Sequence, residues 1–359
     1  MNYQERLRGA RLELEGSRLD ALVVTHLANM RYLSGFTGSA GVLVLGRRET
    51  VFFTDGRYRQ QAREEVCRAR VKIVNGKPAL AAASEWLARH SHRRIGIEAA
   101  HLSVAGSSVL AQSLPARAKL VRSPPIVDRL RMVKHPDEIA RIRAACRLGS
   151  ELFGYLVKTV RPGIKESEVA GELEFRARQA GAEQMSFPTI VAGGARSALP
   201  HGRASSAALP ARGFVVSDFG VILAGYCSDM TRTVHLGRPV AEARSAYQAV
   251  KEAQQAALEV ARVGRSVAEV DRAARKSLQI RGLAKFFTHS TGHGVGLEIH
   301  ESPRIAAGER EPLKAGMVIT IEPGIYVPGR WGVRIEDTIL ITASGSEVLT
   351  PCPKDLITI

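Results

Sequence analysis

Cysteine is scarce: Cys67, Cys146, Cys227 and Cys352 are the four among 359 residues, they lie far apart, and none forms a Cys-x-x-Cys pair. That spacing argues against a disulfide framework and against a thiolate zinc site, and it fits a reducing cytoplasm. Cys227, beside an acidic motif, is expected to be a small buried hydrophobe. Long apolar runs are absent too, since none reaches the ~18 residues of a membrane span. The charged opening MNYQERLRGARLELEGSRLD lacks the apolar stretch of a signal peptide. Acidic residues are outnumbered 51 to 35, for a net charge of +16. Residues 1–130 carry 21 basic and 11 acidic side chains, against 30 and 24 in the remainder. The excess is arginine scattered along amphipathic stretches such as RYRQQAREEVCRAR, not a block interleaved with aromatics, which make up 5% of the chain. A solvated arginine surface is therefore expected, with no membrane partner and no nucleic-acid partner.

What is present is a globular composition, 45% hydrophobic, in a chain long enough for two domains. LDALVVTH (19–26), SAGVLVLG (39–46) and ETVFFTD (49–55) read as strands, and 57–69 and 79–90 as helices. That alternation predicts a small α/β domain over residues 1–124. Pro124-Pro125 cannot continue a helix, so residues 125–135 are expected to be an extended linker. Pro136 then suits a first helical position. Ile139, Ile142, Cys146, Gly149, Phe153 and Leu156 give one apolar face as far as Arg161-Pro162-Gly163. Further helices are expected at about 166–181, 241–262 and 266–281, with strand-like segments between them. The domain over 136–359 is therefore α+β.

An internal echo runs through this second part. VVSDFGVILAGYCSDMTRT holds Asp218 before Gly220, then Asp229 followed by Thr231. ITIEPGIYVPGRWGVRIEDTIL holds Glu322 before Gly324, then Glu336 followed by Thr338. Two hairpins of one design, each sending out two carboxylates, imply a pseudo-symmetric site between them. The acids sit among hydrophobic strand residues, and burying ionised carboxylates without partners is costly. Strand alternation turning them to water, or pairing with Arg232 and Arg334, would relieve a single acid. Four matched acids point instead to two divalent cations, whose charge balances theirs.

The run HSTGHGVGLEIHESP gathers His289, His293 and His300 among Gly292, Gly294 and Gly296. A phosphate-cradling loop would continue into a helix, whereas this run continues as Leu-Glu-Ile-His. Glycines beside a histidine would let the backbone pass close to a crowded metal centre. Oxygen-rich ligation with a single imidazole suits Mn²⁺, Co²⁺, Fe²⁺ or Zn²⁺. Two such ions can hold a hydroxide between them and polarise a carbonyl, which is the chemistry of hydrolysis at an acyl centre.

With these residues in view, the chain resembles the pita-bread metallopeptidases, a family that includes Xaa-Pro aminopeptidase (aminopeptidase P), Xaa-Pro dipeptidase (prolidase) and, more distantly, methionine aminopeptidase. DFGVILAGYCSDMTRT, STGHGVGLEIHESP, TIEPGIY and VRIED follow the family order, with steps of 11, 64, 29 and 14 between Asp218, Asp229, His293, Glu322 and Glu336. NMRYLSGFTGSAG and FFTDGRYRQQA resemble the creatinase-type N-terminal domain of the proline-specific members. The resemblance implies a creatinase-type α/β domain followed by a pita-bread α+β catalytic domain with pseudo-twofold internal symmetry. It implies a homodimer as well.

The resemblance also assigns roles. Asp218 would chelate one metal, Asp229 and Glu336 would bridge both, and His293 and Glu322 would complete the other shell. Manganese leads among the metals. Glu322 would also assist proton transfer, His201 would contact substrate near the scissile carbonyl, His300 would steady the tetrahedral intermediate, and His289 would line the substrate pocket. Independently of the resemblance, the run VRIED puts Arg334 two residues before Glu336, on the same face of one expected strand, where it would support the ligands from behind. Substrates would be Xaa-Pro dipeptides or peptides with proline second. Phe187, Tyr226 and Tyr326 are candidate pocket walls, and Arg304 either reaches a dipeptide carboxylate or lies on the surface. A metal-free creatinase-type C–N hydrolase and a non-catalytic nucleic-acid- or protein-binding module are the competing readings.

Overall fold

The computed structural model describes residues 1–359, which divide into two compact units, Met1–Arg131 and Met132–Ile359. The N-terminal unit is built on one six-stranded sheet, in the order Arg70–Val74, Thr50–Asp55, Val42–Gly46, Ala21–Val24, Arg94–Ile97, Lys119–Arg122. The three expected strands occupy its middle and pair antiparallel. The flanking strands pair parallel to them, as strands joined through helical crossovers must. Helix Ala79–Arg89 covers one face, burying Ala82, Ala83, Trp86 and Leu87. The stretch expected as one helix from residue 57 divides into a 3₁₀ turn at Gly56–Tyr58 and helix Arg59–Glu65. The arginines of RYRQQAREEVCRAR, at 57, 59, 63, 68 and 70, are all exposed.

Residues 125–135 differ from the extended linker expected of them. Helix Ile126–Met132 occupies most of that segment, and the division between the units falls at its end. A Pro-Pro pair blocks a helix that precedes it, but one beginning just after it loses nothing, because its first N–H groups have no intrahelical acceptor. Burial of Ile126 and Val127 then favours the helical turn.

The C-terminal unit repeats one theme. Helices Pro136–Thr159 and Glu166–Gln179 form one pair, and Ala241–Val260 and Val267–Ile280 form another. Their limits fall within a few residues of those expected, because each carries a regular apolar face and a marked start or stop. Pro136 opens the first, where Glu138 accepts the His135 N–H at 3.0 Å. Ser266 caps the last with Glu269 reaching back, a reciprocal pair that occupies two otherwise unbonded N–H groups.

Each helix pair covers its own sheet. The first packs Leu152, Phe153, Leu156, Val169 and Leu173 with Val191, Val215, Phe219 and Val234 of the sheet Met230–Leu236, Gly213–Phe219, Ile190–Gly193. The second pair lays Ala246, Ala249, Val250, Ala253 and Ala257 with Ile319, Ile321, Ile339 and Ile341. Those isoleucines belong to a five-stranded sheet, Glu301–Ile305, Gly292–Gly294, Val318–Ile321, Asp337–Thr342, Gly345–Val348. Two helix-covered sheets with one hydrophobic core each are the pseudo-twofold arrangement that the internal echo implied. No helix is long and apolar enough to cross a membrane. All four cysteines are free thiols, and Cys227 is buried, which pushes its thiol up to about 12.

Candidate metal centre

The two echoing hairpins deliver their acids through the same local geometry. Strand Gly213–Phe219 pairs antiparallel with Met230–Leu236, setting Asp218 opposite Thr231, and Asp229 directly precedes the returning strand. Val318–Ile321 pairs antiparallel with Asp337–Thr342, Glu322 directly follows the first strand, and Glu336 directly precedes the second. Glu336 therefore does not share a strand with Arg334, as the run VRIED suggested. Arg334 ends strand Trp331–Arg334, which pairs with Gly324–Val327 in a separate two-stranded ribbon, and the chain changes sheets between them.

Threonines two residues beyond the second acids tie the halves together. Thr231 donates its hydroxyl to Glu336 at 2.7 Å, and Thr338 donates to the backbone carbonyl of Asp229 at 2.8 Å. Each half thus orients the other half's acid. The repeated Asp/Glu-x-Thr spacing was visible in the sequence, but its crosswise pairing spans more than a hundred residues and has no local signature.

His293 enters on the short strand Gly292–Gly294. A Cβ added at Gly292 would lie 2.0 Å from the Thr320 carbonyl oxygen, and one at Gly294 would lie 2.4 Å from that of Ser302. The glycines therefore let this strand press against its neighbours, and that approach carries the histidine into the cluster. The imidazole donates from Nδ1 to the Gly294 carbonyl at 3.0 Å, which leaves the Nε2 lone pair facing the acids. Nε2 lies 3.5 Å from both Asp229 Oδ2 and Glu322 Oε1. Ligand atoms of Asp229, His293 and Glu336 all fall within 4.8 Å of one another.

The electrostatics show why these groups need cations. Asp218, Asp229 and Glu336 are buried. Burial pushes the Asp229 and Glu336 carboxyls well above their usual range, and neighbouring carboxylates push them further. Glu322 rises to about 7 for the same first reason, with Asp218 adding to it and Arg334 opposing. Arg334 is the cation that the fold itself supplies: it donates to Asp218 at 2.5 Å and to Thr231 at 3.0 Å. Arg232 spends its charge elsewhere, on buried Asp337 at 2.7 Å. One guanidinium against four carboxylates leaves a deficit, and Asp218 Oδ1 and Glu336 Oε1 are buried without a protein hydrogen-bond partner. Buried acceptors of this kind, beside an imidazole lone pair, are a donor set suited to divalent cations.

The cluster opens into a cavity of about 790 Å³ lined by all five of these side chains together with His201, His289, His300, Arg304, Arg334 and Phe187. The five acid and imidazole positions, His201, His289, His300 and Arg334 therefore line one cavity, whereas Tyr226 and Tyr326 are not among its lining residues. His300 sets its ring edge to face with His293, with centroids 4.4 Å apart. His289 donates from Nδ1 to the Ser290 carbonyl at 2.8 Å and accepts from the Tyr326 hydroxyl at 2.9 Å. Burial, then Arg334, pulls its pKa down to about 4, so its ring is neutral at ordinary pH. Tyr326 in turn accepts from Arg334 at 2.6 Å, so the Arg334–Tyr326–His289 chain connects the acids to the cavity wall. Tyr226, a candidate wall, is instead buried with its hydroxyl donating to Glu138 at 2.9 Å.

Comparison with known proteins agrees with this geometry. The family model for metallopeptidase family M24 matches residues 140–343, and that for the creatinase/prolidase N-terminal domain matches residues 6–133. A Xaa-Pro dipeptidase of Pyrococcus horikoshii is 36% identical over 347 residues, covering 96% of each chain. The solved structure of a Xaa-Pro dipeptidase from Bacillus anthracis superimposes with a TM-score of 0.96 at 36% identity over 100% of both chains. An X-Pro aminopeptidase from Thermotoga maritima does so with a TM-score of 0.89 at 34% identity, over 97% of this chain and 100% of that one. The chain belongs to metallopeptidase family M24, in its pita-bread Xaa-Pro peptidase branch, and carries the creatinase/prolidase N-terminal domain ahead of the catalytic one.

Proposed function

We propose that this chain is a Xaa-Pro dipeptidase working with two divalent cations held by Asp218, Asp229, His293, Glu322 and Glu336. The observation that carries the reading is the gathering of four carboxylates and one imidazole at the floor of a single cavity, with Asp218 Oδ1 and Glu336 Oε1 lacking any protein partner. Mn²⁺ is the proposed occupant because oxygen donors outnumber nitrogen and no thiolate takes part, with Co²⁺, Zn²⁺ and Fe²⁺ as the alternatives. When bound, such a pair supplies an activated water and polarises the scissile carbonyl.

The chain's own groups do the rest. His201 and His300 line the cavity beside the cluster and donate to the carbonyl oxygen as negative charge develops on it. Proline's nitrogen leaves as a secondary amine and needs a proton, which Glu322 takes from the attacking water and delivers as the C–N bond breaks. Neutral His289, held by Tyr326, shapes the pocket without adding charge. Arg334 holds Asp218 in place. Arg304, in the same cavity, offers a cation to the free carboxylate of a dipeptide, which favours the dipeptide over a longer chain.

The test is turnover by the Mn²⁺-loaded protein of Ala-Pro, Ala-Pro-Ala and Ala-Ala. Ala-Pro is expected to be hydrolysed fastest and Ala-Ala negligibly. Preference for Ala-Pro-Ala would make the enzyme an aminopeptidase, and failure on both proline peptides would remove the substrate assignment. The working unit is read as a homodimer, for which light scattering would return twice the 38.8 kDa chain mass.

A further inference from the structure

The N-terminal unit gathers a second set of metal-ligating side chains. Ligand atoms of His26, His101 and Asp128 lie within 4.8 Å of one another. Three separate elements deliver them. His26 stands between strand Ala21–Val24 and helix Leu27–Ser34, His101 lies in the turn ahead of helix Val104–Ala111, and Asp128 sits in the first turn of helix Ile126–Met132.

Their positions are fixed by bonds that leave the ligand atoms in place. The Glu98 carboxylate accepts the backbone N–H of Thr25 at 2.7 Å and of His26 at 2.9 Å, and the side-chain amide of Asn29 at 2.7 Å. The Glu98 backbone carbonyl accepts the N–H of His101 at 2.9 Å. One residue therefore anchors both histidines. Asn29 approaches Asp128 Oδ1 at 3.4 Å, and its own carbonyl oxygen accepts from buried Arg131 at 2.7 Å. Supporting bonds of this sort orient first ligands at metal sites. Asp128 Oδ1 also lies 4.0 Å from Nη1 of Arg131. Two carboxylates, Glu98 and Asp128, face that one guanidinium, so the group is negative while both imidazoles are neutral.

The two imidazoles stack with centroids 3.6 Å apart and planes 5° from parallel, and His101 Nε2 lies 3.9 Å from Asp128 Oδ1. Stacked rings hold their nitrogens side by side, so capture of one ion requires a ring to turn until the lone pairs converge. The His101 side chain is 31% exposed, and it is the ring that would turn. Two nitrogens and one carboxylate suit Zn²⁺, with Co²⁺ and Ni²⁺ in the same class, better than Mg²⁺ or Ca²⁺, and solvent would fill the open position.

We propose that His26, His101 and Asp128 form a zinc-class divalent cation site that fastens three connections of the N-terminal unit to one another. It shares no residue with the catalytic cluster. The experiment is equilibrium dialysis of the full-length protein against Zn²⁺ followed by elemental analysis, comparing the parent with His101→Ala and Asp128→Asn. The parent is expected to retain one more zinc ion per chain than either variant, while peptidase activity and far-ultraviolet circular dichroism stay unchanged. Co²⁺ loading should show visible bands in the parent that are lost from the His101→Ala difference spectrum. Equal zinc content in all three proteins, or identical Co²⁺ spectra, would overturn the proposal.

Discussion

Removing divalent cations should make the stability of this protein fall as pH rises. Glu322 moves from its ordinary 4.5 to about 7 in the folded cation-free chain, because burial and Asp218 disfavour its charged form. An acid whose folded pKa is raised favours the fold while it is protonated. That contribution is complete below the unfolded value and is lost as pH climbs through the folded one. At 1.36 kcal/mol per unit, the shift corresponds to about 3 kcal/mol between pH ~4.5 and pH ~7. Asp229 and Glu336 shift in the same direction and deepen the loss. For a unit the size of Met132–Ile359, about 3 kcal/mol translates into roughly 6–12 °C of unfolding midpoint. Calorimetry at about pH 5 and about pH 8, each with chelator and with Mn²⁺, reads the effect as the difference between the two profiles. The cation-free midpoint should drop by at least that amount relative to the Mn²⁺-loaded one, and Glu322→Gln should flatten part of the drop. Parallel profiles with and without Mn²⁺ would show instead that the protein itself already compensates the carboxylates.

Three further outcomes follow from individual contacts. Arg334→Met leaves Asp218 buried without its partner and should cost about 3–5 kcal/mol in chemical denaturation of the cation-free protein, less once Mn²⁺ is bound. His300→Ala removes a donor to the developing oxyanion, so steady-state kinetics on Ala-Pro should show kcat lower by about 10²–10³ with unfolding unchanged. Gly294→Ala drives a Cβ to 2.4 Å from the Ser302 carbonyl and should destabilise the fold by about 1–3 kcal/mol, with a loss of bound Mn²⁺ as His293 is displaced.

The parts of the fold readable in advance were those with a local cause. The Ile142–Cys146–Gly149–Phe153–Leu156 face and the Pro136 start mark a helix wherever they occur, and the structure holds that helix from Pro136 to Thr159. Helix Ile126–Met132 was hidden because its reason is burial of Ile126 and Val127, a tertiary fact, while the adjacent prolines suggested an extended chain. The same divide runs through the site. The five acid and imidazole positions stand in recognisable motifs, and the fold brings all of them to one cavity. The pairing of Arg334 with Asp218, 116 residues away, and the crosswise Thr231–Glu336 and Thr338–Asp229 bonds depend on how the two halves face each other. Tyr226 shows the converse error: an aromatic beside a motif suggested a pocket wall, but its hydroxyl satisfies buried Glu138 instead.

On the proposed reading, these buried carboxylates coexist because two dications lie among them. Crystals grown with Mn²⁺, with anomalous scattering recorded at the manganese edge, test it directly. Two anomalous peaks among Asp218, Asp229, His293, Glu322 and Glu336 are the expected result, with at least one lost in Asp229→Asn. A protein that hydrolyses Ala-Pro with no peak at that position would contradict it.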